Sequence, residues 1–185
     1  MALLELLNQQ WTKDKRITLI GHSTGAIYIG HLLKYADEML PPDIKFDVVL
    51  LAPAATFEFF EQKLDVLRNR VNNIRVFNLK DEIESSYWEV PVLYNRSLLY
   101  LVSGLLEEKE IDMPIIGMQR YFTGKDPYDT QPVRSVMDYL NGKLIWSVAN
   151  NGPGRQSSAE QHSAFDNDPS TQSSLRHILT DGFHP

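Results

Sequence analysis

The chain has 185 residues, 43% of them apolar and 23% charged, with a formal net charge of -6 and no cysteine. That length and composition suit one globular domain, residues 1–185, with a sizeable core, and the acidic balance excludes nucleic acid as an expected partner because no basic stripe can displace phosphate counterions. The lack of thiols excludes a disulfide framework, thiolate metal ligation and a cysteine nucleophile, and fits an expected cytoplasmic location.

The first fifteen or so residues are predicted as an amphipathic helix with Leu4, Leu7 and Trp11 on one stripe, closed by Lys13-Asp14-Lys15. Its leading segment carries Glu5 in place of a basic flank and too short an apolar run, so no signal peptide, transmembrane span or stable membrane insertion is expected. A short strand over 16–20 follows, then Gly21-His22-Ser23-Thr24-Gly25, then a helix with Ala26, Ile29, Leu33, Ala36 and Leu40 at three- and four-residue spacing, stopped by Pro41-Pro42. The alternation repeats with a near-continuous apolar strand over 46–51, a helix over 57–71 and a strand over 74–79. From 85 to 140 it breaks, and a cap-like helical insertion is expected there: aromatic and apolar residues from Tyr87 to Leu106, the charged run Glu107-Glu108-Lys109-Glu110, then a less regular stretch with Gly117 and Gly124. A fourth strand over 143–148, a small polar loop over 150–158 and a final helix opened by Asp168-Pro169-Ser170-Thr171 complete the chain. The pattern predicts an α/β fold with a mostly parallel sheet and helices on both faces.

The chemistry centres on Ser23. A Gly-x-Ser-x-Gly pattern between a strand and a helix marks a nucleophile elbow, a tight strained turn whose neighbours must be small so that strand and helix can pack closely. A serine hydroxyl needs a base within hydrogen-bond reach and a carboxylate to orient that base. Asp81, directly after the third strand, is the candidate acid; Glu82 and Glu84 are near enough to replace it. His162, after the last strand, is the candidate base. His22 is expected to pack or hydrogen-bond behind the elbow, while His31, His177 and His184 read as surface residues. Asp166 and Asp168 read as turn and cap residues, and no metal or cofactor is expected.

The order Ser23, Asp81, His162 is that of the α/β-hydrolases, and from about Arg16 to Leu179 the sequence resembles that superfamily. The resemblance implies ester hydrolysis through an acyl-enzyme on Ser23, with the Thr24 N–H as one oxyanion donor and a small-molecule ester as substrate. The apolar segment from Tyr87 to Leu106 is expected either to line the substrate pocket as a cap, with Trp88, Leu98 and Leu101 as contacts, or to be plain core. Superfamily members place several strands before the nucleophile strand, and a loop among them supplies the second oxyanion donor; here only the amphipathic helix precedes Arg16. The expectation is therefore a partial hydrolase fold, whether a fragment or a homodimer formed through the exposed edge of the Ser23 strand. The alternatives are a non-catalytic module of hydrolase type lacking a complete oxyanion hole, and a flavodoxin-like domain using the elbow as an anion site, although the elbow lacks the Gly-x-Gly-x-x-Gly spacing and a P-loop lysine.

Overall fold

The apolar run Phe46–Leu51 forms β2, and all six of its residues are buried. Because side chains alternate between faces along a strand, a strand buried throughout must be covered on both sides. The structure is a computed structural model that describes residues 2–12, 14–86 and 113–183. In it β2 lies between β1 (Ile17–His22) and β3 (Val71–Leu79), and β3 in turn pairs with β4 (Leu144–Ser147). All three pairings are parallel, with Ile17 opposite Phe46, Val48 opposite Ile74 and Val76 opposite Leu144. The strands run in the spatial order of the sequence, so His22, Leu51, Leu79 and Ser147 all end at one edge, where loops of a parallel sheet carry function. The predicted α/β class with a parallel sheet is thus present.

The helices cover both faces. α1 (Ala2–Gln10) buries Leu4, and α2 (Gly25–Met39) buries Ala26, Ile29, Gly30, Leu33 and Ala36. The predicted helix over 57–71 is two helices, α3 (Phe57–Glu61) and α4 (Leu64–Arg70), and it gives way to strand from Val71. α3 is capped by the Thr56 hydroxyl, which accepts from the Phe59 N–H at 3.0 Å. α2, α3 and α4 meet Val48, Leu50 and Ile74 on one face of the sheet. On the other face lies α7 (Pro169–Thr180), following α5 (Asp81–Ser86) and α6 (Gln131–Leu140) in the chain; Arg16 donates to the Ile178 and Leu179 carbonyls near the end of α7.

The expected insertion over 85–140 divides at the described residues. From Met113 on it belongs to the core: Ile115, Ile116, Met118, Tyr121, Val133, Val136 and Leu140 are each at most 1% exposed, and Ile115 and Met118 bridge to Thr56 and Leu79. The expected substrate contacts Trp88, Leu98 and Leu101 lie outside the described residues. The polar loop over 150–158 contains a short antiparallel ribbon, β5 (Ala149–Asn150) with β6 (Gln156–Ser157). β1 is an edge strand of the sheet among the described residues, with Ile20 41% exposed. No helix among the described residues is long and apolar enough to cross a membrane.

Arg70 closes the α2 end of this layer. Its side chain is 5% exposed and makes five hydrogen bonds: to the Asp37 carboxylate at 2.7 Å and to the carbonyls of Asp37, Leu40, Pro41 and Ile44. It thereby satisfies carbonyls that the end of α2 leaves without helical partners.

Candidate active site

β1 ends at His22, and the chain enters α2 through Ser23 and Thr24. Ser23 has φ 55°, a left-handed conformation that costs a residue with a Cβ about 1–2 kcal/mol. Three main-chain hydrogen bonds fix it there. Ser23 N–H donates to the Leu51 carbonyl at 2.9 Å, and the Ser23 carbonyl accepts from Ala54 N–H at 3.0 Å and Ala26 N–H at 3.2 Å. The supporting loop is itself strained: Ala52 has φ 41°, and its N–H donates to the Phe77 carbonyl at 2.7 Å. The exit of β2, anchored on β3, thus buttresses the serine turn on β1. Strain held by surrounding structure in this way is a mark of functional turns.

The two motif glycines differ. A Cβ on Gly21 would lie 2.7 Å from Ile29 Cδ1 and 2.9 Å from the Gly25 carbonyl carbon, so close strand–helix packing does require that glycine. A Cβ on Gly25 would meet nothing within 4 Å, so the expected packing requirement does not extend to the second one. At the start of α2 the N–H groups of Thr24 and Gly25 have no acceptor among the described residues. They sit at the positive end of the helix beside a half-buried Ser23, where negative charge is favoured.

His162 opens a 3₁₀ turn, His162–Ala164, and is 3% exposed. It lies against the elbow: the His22 ring nitrogen Nε2 is 2.9 Å from the His162 carbonyl, and the two imidazole centroids are 5.0 Å apart. A carbonyl oxygen can only accept, so Nε2 of His22 carries the proton and donates. His22 therefore does hydrogen-bond beside the elbow, as the sequence suggested, and its acceptor is the main chain of the candidate base. Burial first, and the neighbouring His22 second, push the His162 pKa down to about 4, which keeps its imidazole neutral across the physiological range.

The segment carrying His162 is tied down on both sides. Upstream, the buried Ser147 hydroxyl at the end of β4 donates to the Ala159 carbonyl at 2.6 Å. Downstream, Asp168 caps α7, accepting from Thr171 N–H at 2.8 Å and from Ser158 N–H at 3.0 Å. Burial pushes the Asp168 carboxyl up, but the hydroxyl and N–H hydrogen bonds of Ser158 and Thr171 together outweigh it and hold the carboxyl below its ordinary pKa. The cap expected from Asp168-Pro169-Ser170-Thr171 is present, and it also locks the loop that leads to His162.

Asp81 starts α5 immediately beyond β3, at the same sheet edge as Ser23 and two strands along from β1. Its N–H donates to Gln119 Oε1 at 2.9 Å, which anchors the start of α5 to the 3₁₀ turn Gln119–Tyr121. The structure thus joins the Ser23 turn to the His162 segment through His22 and places Asp81 on the same edge. Glu82 is the next residue of α5 and is exposed. His31 is exposed on α2 with its ring 5.4 Å from Phe59, and His177 pairs with Asp181 at 3.1 Å on α7, so neither belongs to this edge. His184 lies outside the described residues. No group of three His, Asp or Glu side chains among the described residues could hold a metal ion. Sequence reasoning missed Gln119, Ala52 and Ser147; only Ala52-Pro53-Ala54-Ala55, a run of small residues directly after a strand, carried a signal. Compared with protein-family models, curated proteins and solved structures, the chain matches none.

Proposed function

We propose that this protein is a serine hydrolase of α/β-hydrolase type that cleaves a carboxylic ester through an acyl-enzyme on Ser23. The observation that carries the reading is the strained, half-buried Ser23 at φ 55° between strand and helix, with a buried, neutral His162 docked beside it through His22. The chain order Ser23, Asp81, His162, and the position of Ser23 and Asp81 just after β1 and β3, support the same assignment.

In this mechanism the Ser23 Oγ attacks the ester carbonyl carbon as the His162 imidazole takes the hydroxyl proton. The carbonyl oxygen becomes an oxyanion and is stabilised by the Thr24 N–H, which no other described group engages. Collapse breaks the bond to the leaving alkoxide, which receives the proton from the His162 imidazolium, and leaves the acyl group on Ser23. Water repeats the sequence, with His162 again as base, and releases the acid. Asp81 is assigned the role of orienting His162 and stabilising its charged form. The Ser23 strain favours presentation of the hydroxyl rather than stability of the fold.

The test is hydrolysis of a short-chain p-nitrophenyl ester followed from the first turnover. An initial burst of one equivalent that vanishes in Ser23→Ala and His162→Ala is the expected result, since an accumulating acyl-enzyme is the fingerprint of this route. Hydrolysis that survives Ser23→Ala would refute it.

A further inference from the structure

At the opposite, amino-terminal end of the sheet lies a cavity of about 240 Å³ lined by Arg68, Arg75, Lys143, Tyr139 and the Asn72-Asn73 pair, among others. Arg75 to Leu79 spans four residues of β3, or about 13 Å of rise, so this cavity is separate from the candidate active site. No carboxylate among the described residues lines it. Arg75 is 6% exposed, and its guanidinium makes a single hydrogen bond among the described residues, from Nη1 to the Gly154 carbonyl at 2.7 Å. Its remaining surroundings include the Phe183 ring, 5.1 Å from Cζ. The Lys143 Nζ sits 3.9 Å from the centre of the Tyr139 ring and donates to the Tyr139 carbonyl. Arg155 approaches from the rim, donating to the Gly142 carbonyl at 3.0 Å. Among the described residues Arg75, Lys143 and Arg155 have no ion pair, and Arg68 pairs only with the exposed Asp65.

A chain of net charge -6 has carboxylates to spare, yet among the described residues only the exposed Asp65, on Arg68, meets this cluster. Anchoring the Gly154 loop accounts for Arg75 but not for Lys143 and Arg68 being gathered beside it. Their mutual repulsion is felt: burial and the charge of Arg155 lower the Arg75 pKa, and burial and the charge of Arg68 lower that of Lys143. Tyr139, whose pKa burial pushes up to about 12, keeps its hydroxyl proton and adds a neutral donor.

We infer that this cavity is a binding site for a phosphate group, free or as the monoester of a small molecule, held between the Arg75 guanidinium and the Lys143 ammonium with Arg68 at the mouth. Planar guanidinium donors and a point ammonium are the pair that phosphate recognition uses. The volume equals about eight waters of roughly 30 Å³ each, enough for one tetrahedral oxyanion with part of its hydration or a short organic tail.

The test is a titration of the full chain with inorganic phosphate and, separately, with glycerol phosphate at constant ionic strength, followed by amide chemical shifts and by thermal unfolding. Saturable shifts at Asn72, Asn73 and Gly142 are expected, with a Tm that rises with phosphate and not with sodium chloride. Lys143→Gln and Arg68→Gln should each weaken binding, Lys143→Gln by about tenfold or more, as loss of a hydrogen bond to a charged group does. Tighter binding of the monoester would identify a phosphorylated small molecule as ligand, and equal binding would identify the free ion. Arg75→Gln should abolish binding; because that variant removes a buried anchor, the lysine and Arg68 variants decide the matter if it does not fold. A response that chloride reproduces, or an affinity unchanged in both Lys143→Gln and Arg68→Gln, would overturn the assignment.

Discussion

Acid should weaken this protein through His162 in a way that a single variant isolates. The imidazole is held at a pKa of about 4 in the folded chain, against an ordinary value near 6.5 once unfolding exposes it. Between those two values the unfolded state binds a proton that the folded state refuses, so stability is complete above pH 6.5 and is lost as pH falls toward 4. A difference of that size corresponds to about 3 kcal/mol, or a Tm lower by roughly 6–12 °C for a chain of this length. The assay is thermal unfolding at intervals from pH 7 to pH 4 for the wild-type chain and for His162→Gln. Carboxylates titrate in both, so the difference between the two curves belongs to His162: the variant should lose the fall between pH 6.5 and 4 while keeping the steeper loss below it. Since the base must be neutral to act, the rate of serine modification should stay level down to about pH 5 and halve near pH 4. Parallel melting curves for the two proteins, or a modification rate that halves near pH 6.5, would show that His162 titrates as an ordinary imidazole in the folded chain.

Other perturbations separate the packing of the elbow from its chemistry. His22→Ala removes the donor to the His162 carbonyl and should slow serine modification by about tenfold, with a stability loss of only about 1 kcal/mol in chemical denaturation. Gly21→Ala should cost about 1–3 kcal/mol, because its Cβ would collide with Ile29 and the Gly25 main chain; Gly25→Ala, facing open space at a helix start, should melt at or slightly above the wild-type temperature. Arg70→Ala leaves Asp37 and four buried or half-buried carbonyls without their donor and should cost about 3–5 kcal/mol in a urea titration. Arg70→Lys should recover only a fraction of that loss, since one ammonium cannot replace five hydrogen bonds from a planar fork.

The strands were the most legible part of the chain. Phe46–Leu51 was readable to the residue because a strand covered on both faces must be apolar throughout, and the Ser23 turn was readable because it stands between a short apolar strand and a periodic helix. The break between α3 and α4 was not, since the apolar spacing of Phe57, Phe60, Leu64 and Leu67 continues across Gln62 and Lys63 while the chain turns. α6 was obscured because its buried stripe is only Val133, Val136 and Leu140, behind a stretch rich in Gly, Asp and Pro. Buried Arg70 and Arg75 look like surface charges in a linear reading; their partners lie dozens of residues away and exist only once the layers have packed. At the candidate site, the places of Ser23, Asp81 and His162 after strands are legible in the sequence. The His22 bridge, the Ala52 buttress and the Ser147 and Asp168 anchors needed the fold, because each joins segments that sequence spacing does not relate.

Whether Ser23 is an activated nucleophile is decided by covalent labelling of the full chain with a fluorophosphonate probe, mapped by mass spectrometry. One adduct is expected, on Ser23, lost in Ser23→Ala and suppressed in His162→Ala. A chain that is folded by its melting profile yet takes no label, or takes it at another residue, would mean that Ser23 is not an activated nucleophile.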